Sequence, residues 1–253
     1  MSTLAALFRG ERIKWRRSWV TLAAILCPAC QVGFLAVIFW FSDVQVSRIG
    51  PGFSIWYQLN HAAWNIIFMP ITVALVALLS WDQEEEAGAW KHLLAQPVPK
   101  RTHYLVKLLS HGALLGMAQL VFTATLLGCG FLFKKTLHTV NMGPSSLDLA
   151  ARLGLYSFLG TLPLLGLHTW LSARFGGVGL ALGLTLAGSL GTVLLAGAIP
   201  ALFWLPWGLA NQGVRLGATG LAGSGGFLIL SMLVAAGLMA LGTADFSRRE
   251  EPR

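Results

Sequence analysis

Three kinds of side chain in this sequence could carry chemistry, and each lacks a necessary companion. Cys27 and Cys30 flank Pro28-Ala29, the spacing of a redox dithiol or of half a metal site. They fall inside an apolar run with no βαβ pattern around it, so they are expected to be small packing residues beside a proline kink. Ser224 and Ser189 sit among glycines, but a nucleophilic serine needs a base within hydrogen-bond reach, and the last two apolar runs contain no His, Lys or carboxylate. His168 would have to be borrowed from the preceding run, which makes an intramembrane hydrolase the lesser alternative. His61, His111 and His168 are expected to be packed or interfacial side chains. No catalytic, cofactor-binding or metal-binding residues are assigned.

Two kinds of fuelling are disfavoured on the same footing. Ion-coupled transport usually leaves carboxylates in the middle of the spans, and no Asp or Glu falls there. A phosphate-cradling Gly-x-x-x-x-Gly-Lys-Ser/Thr stretch is also missing. If ATP drives this protein, ATP and Mg must be bound by another polypeptide, and the chain itself is no enzyme.

The polar residues concentrate instead in two short stretches. Over residues 4–19, a helical projection gathers Arg9, Arg12 and Arg16 in one sector and Leu4, Leu7, Phe8 and Trp15 beside it. This reads as an interfacial helix with Trp15 and Trp19 at headgroup depth, or as a basic flank that orients the span after it. Residues 82–97 are the most charged stretch between spans. Acids open it, Lys91 and His92 lie near its end and Pro97 stops it, so a short amphipathic helix is expected over 83–95.

The elements that must position these stretches are membrane spans. Of 253 residues 55% are hydrophobic and only 11% charged, against roughly a quarter charged in an average soluble domain. Runs at about 20–41, 59–80, 104–133, 148–171, 178–199 and 223–242 are long enough to cross a bilayer as helices. A soluble helical bundle would need polar outer faces that these runs lack, and a membrane barrel would need alternating strands. The fold class is therefore all-α, a single polytopic domain. The first span follows too long a basic segment for a signal peptide and is expected to be retained.

Of the 18 Lys and Arg, thirteen fall on one side if six spans alternate, and five fall on the other. The positive-inside rule places the thirteen, and both termini, in the cytoplasm of a multi-pass protein of the cell membrane; the basic charge needs no nucleic-acid partner. Gly179, Gly183, Ala187 and Gly191 recur every four positions, a spacing that lets helices approach closely. The expected use is inside the subunit, with a dimer interface as the alternative. Residues 200–222, apolar but broken by Pro200 and Pro206, suit a re-entrant segment on the outer side with Trp204 and Trp207 at the boundary.

With these features in hand, the chain resembles the permeases of the type-2 ABC exporter superfamily, most closely the lantibiotic-immunity permeases. Glu11-Arg12-Ile13-Lys14-Trp15-Arg16-Arg17-Ser18, leading to Pro28, resembles the family's E-x-x-K-x-x-R-S entry. Glu85 to Lys100 resembles its E-x-x-x-G-T-W-x-x-L-L-x-x-P-V-x-R signature, with Ala89 where Thr or Ser is usual and Lys100 where Arg is frequent. Lys107 matches a lysine shortly downstream.

The resemblance implies that the helix after span two is a coupling helix docking on an ABC ATPase subunit. Contacts are then expected from Glu84, Glu85, Glu86, Gly88, Trp90, Leu93, Leu94 and Pro97, with Trp90 as the anchor. Leu4 to Trp19 becomes the elbow helix. It further implies pairing with a second permease, identical or related, and expulsion of an apolar or amphipathic substrate, a peptide antibiotic being the one suggested. A membrane scaffold or sensor on the same fold is the main alternative.

Overall fold

The computed structural model describes residues 3–16, 18–41, 52–88, 97–136, 147–195, 197–219 and 225–249. These form helices and their connections, with no strand among the described residues. In chain order they are α1 (Thr3–Lys14), α2 (Trp19–Phe41), α3 (Gly52–Glu86), α4 (Lys100–Thr136), α5 (Leu147–Arg174), α6 (Val178–Leu195), a 3₁₀ turn at Pro200–Trp204, α7 (Pro206–Thr219) and α8 (Gly225–Arg248). Six of them, α2 to α6 and α8, are long and apolar enough to cross a membrane.

The distribution of side chains inverts that of a water-soluble bundle. Phe34, Leu120 and Leu194 are 63%, 72% and 77% exposed, while Gln31, Asn60, Asn65 and Ser157 are fully buried. Such an apolar exterior is stable only against lipid. This is a multi-pass membrane protein.

Helices α3, α4 and α5 form the centre; α2 packs on α3 and α4, α8 on α5 and α4, and α6 on α3. Trp56, Trp64, Phe122, Leu126, Leu153 and Leu164 fill the shared core. Helix α3 is continuous but widens into a π turn at Trp64–Phe68, where the Met69 N–H reaches back to the Trp64 carbonyl. Pro70 follows immediately. It offers no N–H and crowds the turn before it, which a wider turn relieves.

Several expected boundaries move. The helix foreseen over 4–19 ends at Lys14; Trp15 and Arg16 form a turn, and the Ser18 hydroxyl accepts the Val20 N–H at 3.1 Å, capping α2 as a new helix. The helix foreseen from 83 does not start there. Residues 83–86 are the last turn of α3, closed by Gly88 at φ +59, the left-handed conformation that ends helices at little cost when the residue is glycine. Residues 89–96 lie outside the described part, as do 42–51, 137–146 and Ser224.

Segment 200–219 also differs from a simple boundary hairpin. Trp204 is half exposed, but α7 folds back against α5 so closely that a Cβ on Gly160 would stand 2.8 Å from the Leu209 carbonyl oxygen. Trp207 lies over Gly188 of α6 rather than out at a rim. Among the described residues the small-residue stripe likewise meets no partner helix. A Cβ added to Gly179, Gly183 or Gly191 would meet no described residue within 4 Å, and Ala187 is exposed. Helix α6 buries the other face, through Ala181, Thr185, Ser189 and Thr192. Thr185 and Thr192 donate to the carbonyls of Ala181 and Gly188 one turn back, which lets their hydroxyls tolerate burial.

Candidate functional site: an ionic seam at one end of the bundle

Two residues of the first stretch that carries the family resemblance, the residue just before the second and the downstream lysine converge at one end of the bundle. Glu11 and Lys14 occupy the last turn of α1, Glu84 the last turn of α3, and Lys107 the second turn of α4. The Lys14 ammonium donates to Glu11 Oε1 at 2.6 Å and also to Glu84 Oε1. Lys107 Nζ stands 2.6 Å from the same Glu84 oxygen and 3.6 Å from Glu11 Oε2. Glu84 and Lys107 are each only 4% exposed at the side chain.

Two carboxylates and two ammonium groups therefore neutralise one another, with Glu84 and Lys107 buried and Lys14 at the partly exposed edge. Helix α3 needs this, since Glu84, Glu85 and Glu86 crowd its C-terminal end, where the helix dipole disfavours negative charge. Burial works against the charge of Lys14, but the Glu84 and Glu11 carboxylates outweigh it and hold the ammonium's pKa above its ordinary 10.5. Charge-assisted hydrogen bonds of this kind are short and directional, so they fix the relative positions of α1, α3 and α4.

The seam continues across the bundle. Lys107 lies over the Trp81 ring, 5.4 Å from its centroid. Trp81, Tyr104 and Phe246 pack ring to ring with centroids 5.5 to 6.2 Å apart. Beyond them Asp245 of α8 accepts from Trp170 Nε1 at 3.0 Å and pairs with Arg174 at 2.6 Å and with Arg249. Arg249 in turn donates to the Ala173 carbonyl, and Lys100 donates to the carbonyl of Arg249. Five helices are thus tied together at this end.

The structure sorts the expected docking residues. Glu84 cannot face a partner, because it is buried and held by Lys14 and Lys107. Glu85, Glu86, Gly88 and Pro97 are exposed; Trp90, Leu93 and Leu94 lie outside the described residues. Arg9, Arg12 and Arg16 of the N-terminal stretch are exposed and Trp19 is 75% exposed. Trp15 instead turns inward, donating from Nε1 to Ser110 Oγ at 3.0 Å.

A second group of polar side chains lies in the apolar interior. Gln31 donates to Asn60, Ser157 to Asn65 at 2.5 Å, and Trp64 Nε1 to Gln119 Oε1 at 3.0 Å. They bridge α2, α3, α4 and α5, where no water competes for the bonds. Uncharged amides within the runs were the signal for them, and a search for Asp and Glu passes over it. His111 and His168 are buried against Thr169 and Thr185. Among the described residues no group of three or more His, Cys, Asp or Glu could hold a metal ion.

A family model described as ABC-2 family transporter protein matches residues 7–188, which runs from within α1 through most of α6. The chain belongs to the ABC-2 transporter family. No curated protein and no solved structure matches the chain. Family membership makes this ABC-2 protein the membrane component of an ABC transporter, a subunit distinct from the ATPase, and implies an ABC ATPase as its partner. The match includes the whole ionic seam formed by Glu11, Lys14, Glu84 and Lys107, and stops before α7 and α8.

Proposed function

We propose that this ABC-2 permease exports an apolar or amphipathic substrate from the membrane or cytoplasm, a peptide antibiotic being the substrate suggested by its likeness to lantibiotic-immunity permeases. ATP and Mg are bound and ATP is hydrolysed by the partner subunit; this chain carries no cofactor. Two permeases, identical or related, pair with two ATPases, and both termini lie in the cytoplasm. Helix α1 lies in the interface as the elbow, and the stretch from Glu85 to Pro97 docks on the ATPase.

The observation that carries the reading is the position of Glu84. It joins the docking stretch directly and is gripped by Lys14 of α1 and Lys107 of α4. A push delivered by the ATPase at residues 85–97 reaches three helices at once, because a buried ion pair transmits displacement that a solvated one would absorb. Closure of the ATPases then rearranges the spans and expels the substrate, with no chemistry in this subunit.

The deciding experiment replaces Trp90 with Ala and, separately, Glu85 and Glu86 with Lys. Loss of the co-purifying ATPase, with membrane insertion intact, is the expected result; a stoichiometric ATPase on both variants overturns the reading. Substrate-dependent stimulation of ATP hydrolysis in the reconstituted complex separates an exporter from a scaffold or sensor.

A further inference from the structure

A groove of about 350 Å³ opens at the corner where α1 gives way to α2, lined by Trp15, Ser18, Trp19, Thr21, Leu22 and Ile25. Its polar residues, Ser18 and Thr21, lie at the corner, and Leu22 and Ile25 continue it along α2. From Ser18 to Ile25 the chain rises about 10 Å. The wall is held by the protein's own bonds. The Trp15 indole donates to Ser110 Oγ at 3.0 Å and meets the Phe8 ring edge-on with centroids 6.0 Å apart. The Thr21 hydroxyl donates to the Trp15 carbonyl at 2.8 Å, which ties the corner to α2.

Positive charge stands beside the polar end. Arg16 lies in the turn between the lining residues Trp15 and Ser18, and Arg12 precedes Trp15 by three residues, the spacing of neighbours on one helix face. Arg9, Arg12 and Arg16 are all exposed, and none forms an ion pair among the described residues. Glu11, the one acid among them in sequence, is buried and held by Lys14 and Lys107. The arginines of α1 therefore keep a positive charge that the chain does not neutralise. Unpaired guanidinium groups at the polar end of a groove that continues into hydrocarbon complement an anionic amphiphile, with a phosphate on the arginines and a chain on Leu22 and Ile25. A zwitterionic lipid brings its own ammonium group, which cancels much of that attraction.

We propose that this groove seats one anionic phospholipid, with its phosphate between Arg12 and Arg16 and the first part of an acyl chain along Trp19, Leu22 and Ile25. Seated there, the lipid ties α1 to α2 next to the ionic seam. The site needs neither the ATPase nor a transported substrate.

The test uses the full-length chain in phosphatidylcholine nanodiscs that contain a small fraction of phosphatidylglycerol carrying a diazirine near the headgroup end of one acyl chain. Trp15 bonds to Ser110, and Val20 and Ala24 pack with Leu114 and Ala118, so Leu109 and Leu120 of α4, both exposed, bracket the same depth and report ordinary surrounding lipid. Adducts at Leu22 and Ile25 should exceed those at Leu109 and Leu120, and the excess should vanish when the same diazirine chain is carried by phosphatidylcholine. Arg12→Gln and Arg16→Gln should each raise the phosphatidylglycerol fraction needed for half-maximal excess about fivefold. Leu22→Trp fills the groove from its lipid side and should remove the excess at Ile25, leaving Leu109 labelling and the melting temperature unchanged. Equal labelling of α2 and α4 by phosphatidylglycerol in the unaltered protein overturns the proposal, and this comparison needs no variant to fold. An equal excess with phosphatidylcholine, or an excess undiminished in the double arginine variant, overturns the role of charge and the proposal with it. An undiminished excess at Ile25 in Leu22→Trp shows that the groove is not the seat, and overturns it as well.

Discussion

Glu84 concentrates the energetics of the seam in one side chain. Removing it leaves Lys107 charged and buried without its closest carboxylate, with only Glu11 at 3.6 Å to offset the charge, a situation that costs on the order of 3 kcal/mol. Glu84→Gln should therefore lower the melting temperature of the purified protein markedly. The double variant Glu84→Leu with Lys107→Met should recover most of the loss, since an apolar pair replaces a buried ion pair at little cost; a double variant as unstable as the single one would refute the pairing. The Lys14 contribution has a defined pH window. Its folded pKa is raised, so the stabilisation is complete below the ordinary ammonium value and is lost only as pH rises through the higher folded one. Melting curves should be insensitive to Lys14 titration from neutral to mildly alkaline pH.

Glu84 is also where residue type and residue role part company. An acid beside a docking signature reads as a solvent-facing contact, and three consecutive acids give no sign of which one turns inward. Helical rotation decides. Glu84 falls on the face that α3 presents to α1 and α4, whereas Glu85 and Glu86 fall outside it.

At the scale of elements, α6 shows that a small-residue stripe marks a possible close approach and not which face uses it. Gly188 lies directly beneath Trp207, so that a Cβ there would collide with the indole, while a Cβ on Gly183 would meet no described residue within 4 Å. Gly188→Leu should displace α7 and destabilise the protein by about 1–3 kcal/mol, the usual cost of overpacking. Gly183→Leu should leave the melting temperature of the single chain unchanged, and a drop comparable to that of Gly188→Leu would contradict the packing. If Gly183→Leu instead reduces pairing of two permeases, measured by native mass, the open stripe is their interface.

The π turn in α3 is a second element-scale feature that composition conceals. Asn60 and Asn65 bond back to the carbonyls of Trp56 and His61, and with Pro70 they mark a place where regular helix is strained. The amides alone do not reveal the turn. They were visible as polar residues in an apolar run, but their partners Gln31 and Ser157 lie on other helices.

At the scale of the whole molecule, the proposed orientation follows from where the positive charges gather. In a background with Cys27, Cys30 and Cys129 replaced by Ala, single cysteines at Glu86 and Arg248 should react with a membrane-impermeant maleimide only from the cytoplasmic side, and one at Thr136 only from outside. Labelling of residue 86 in intact cells would reverse the topology and with it the docking reading.

The sequence by itself determined that six apolar helices cross a membrane and that charge gathers toward one end of them, because burial in lipid leaves so few alternatives that length and hydropathy suffice. It also pointed to the family through Glu11 to Ser18 and Glu85 to Lys100. Only the tertiary structure decided that Glu84 is the buried junction of α1, α3 and α4, that Asp245 is the second junction, and that the α6 stripe faces away from the other described helices. Each of these depends on the rotation of one helix against another, and side-chain patterns leave rotation open wherever a helix is apolar all round.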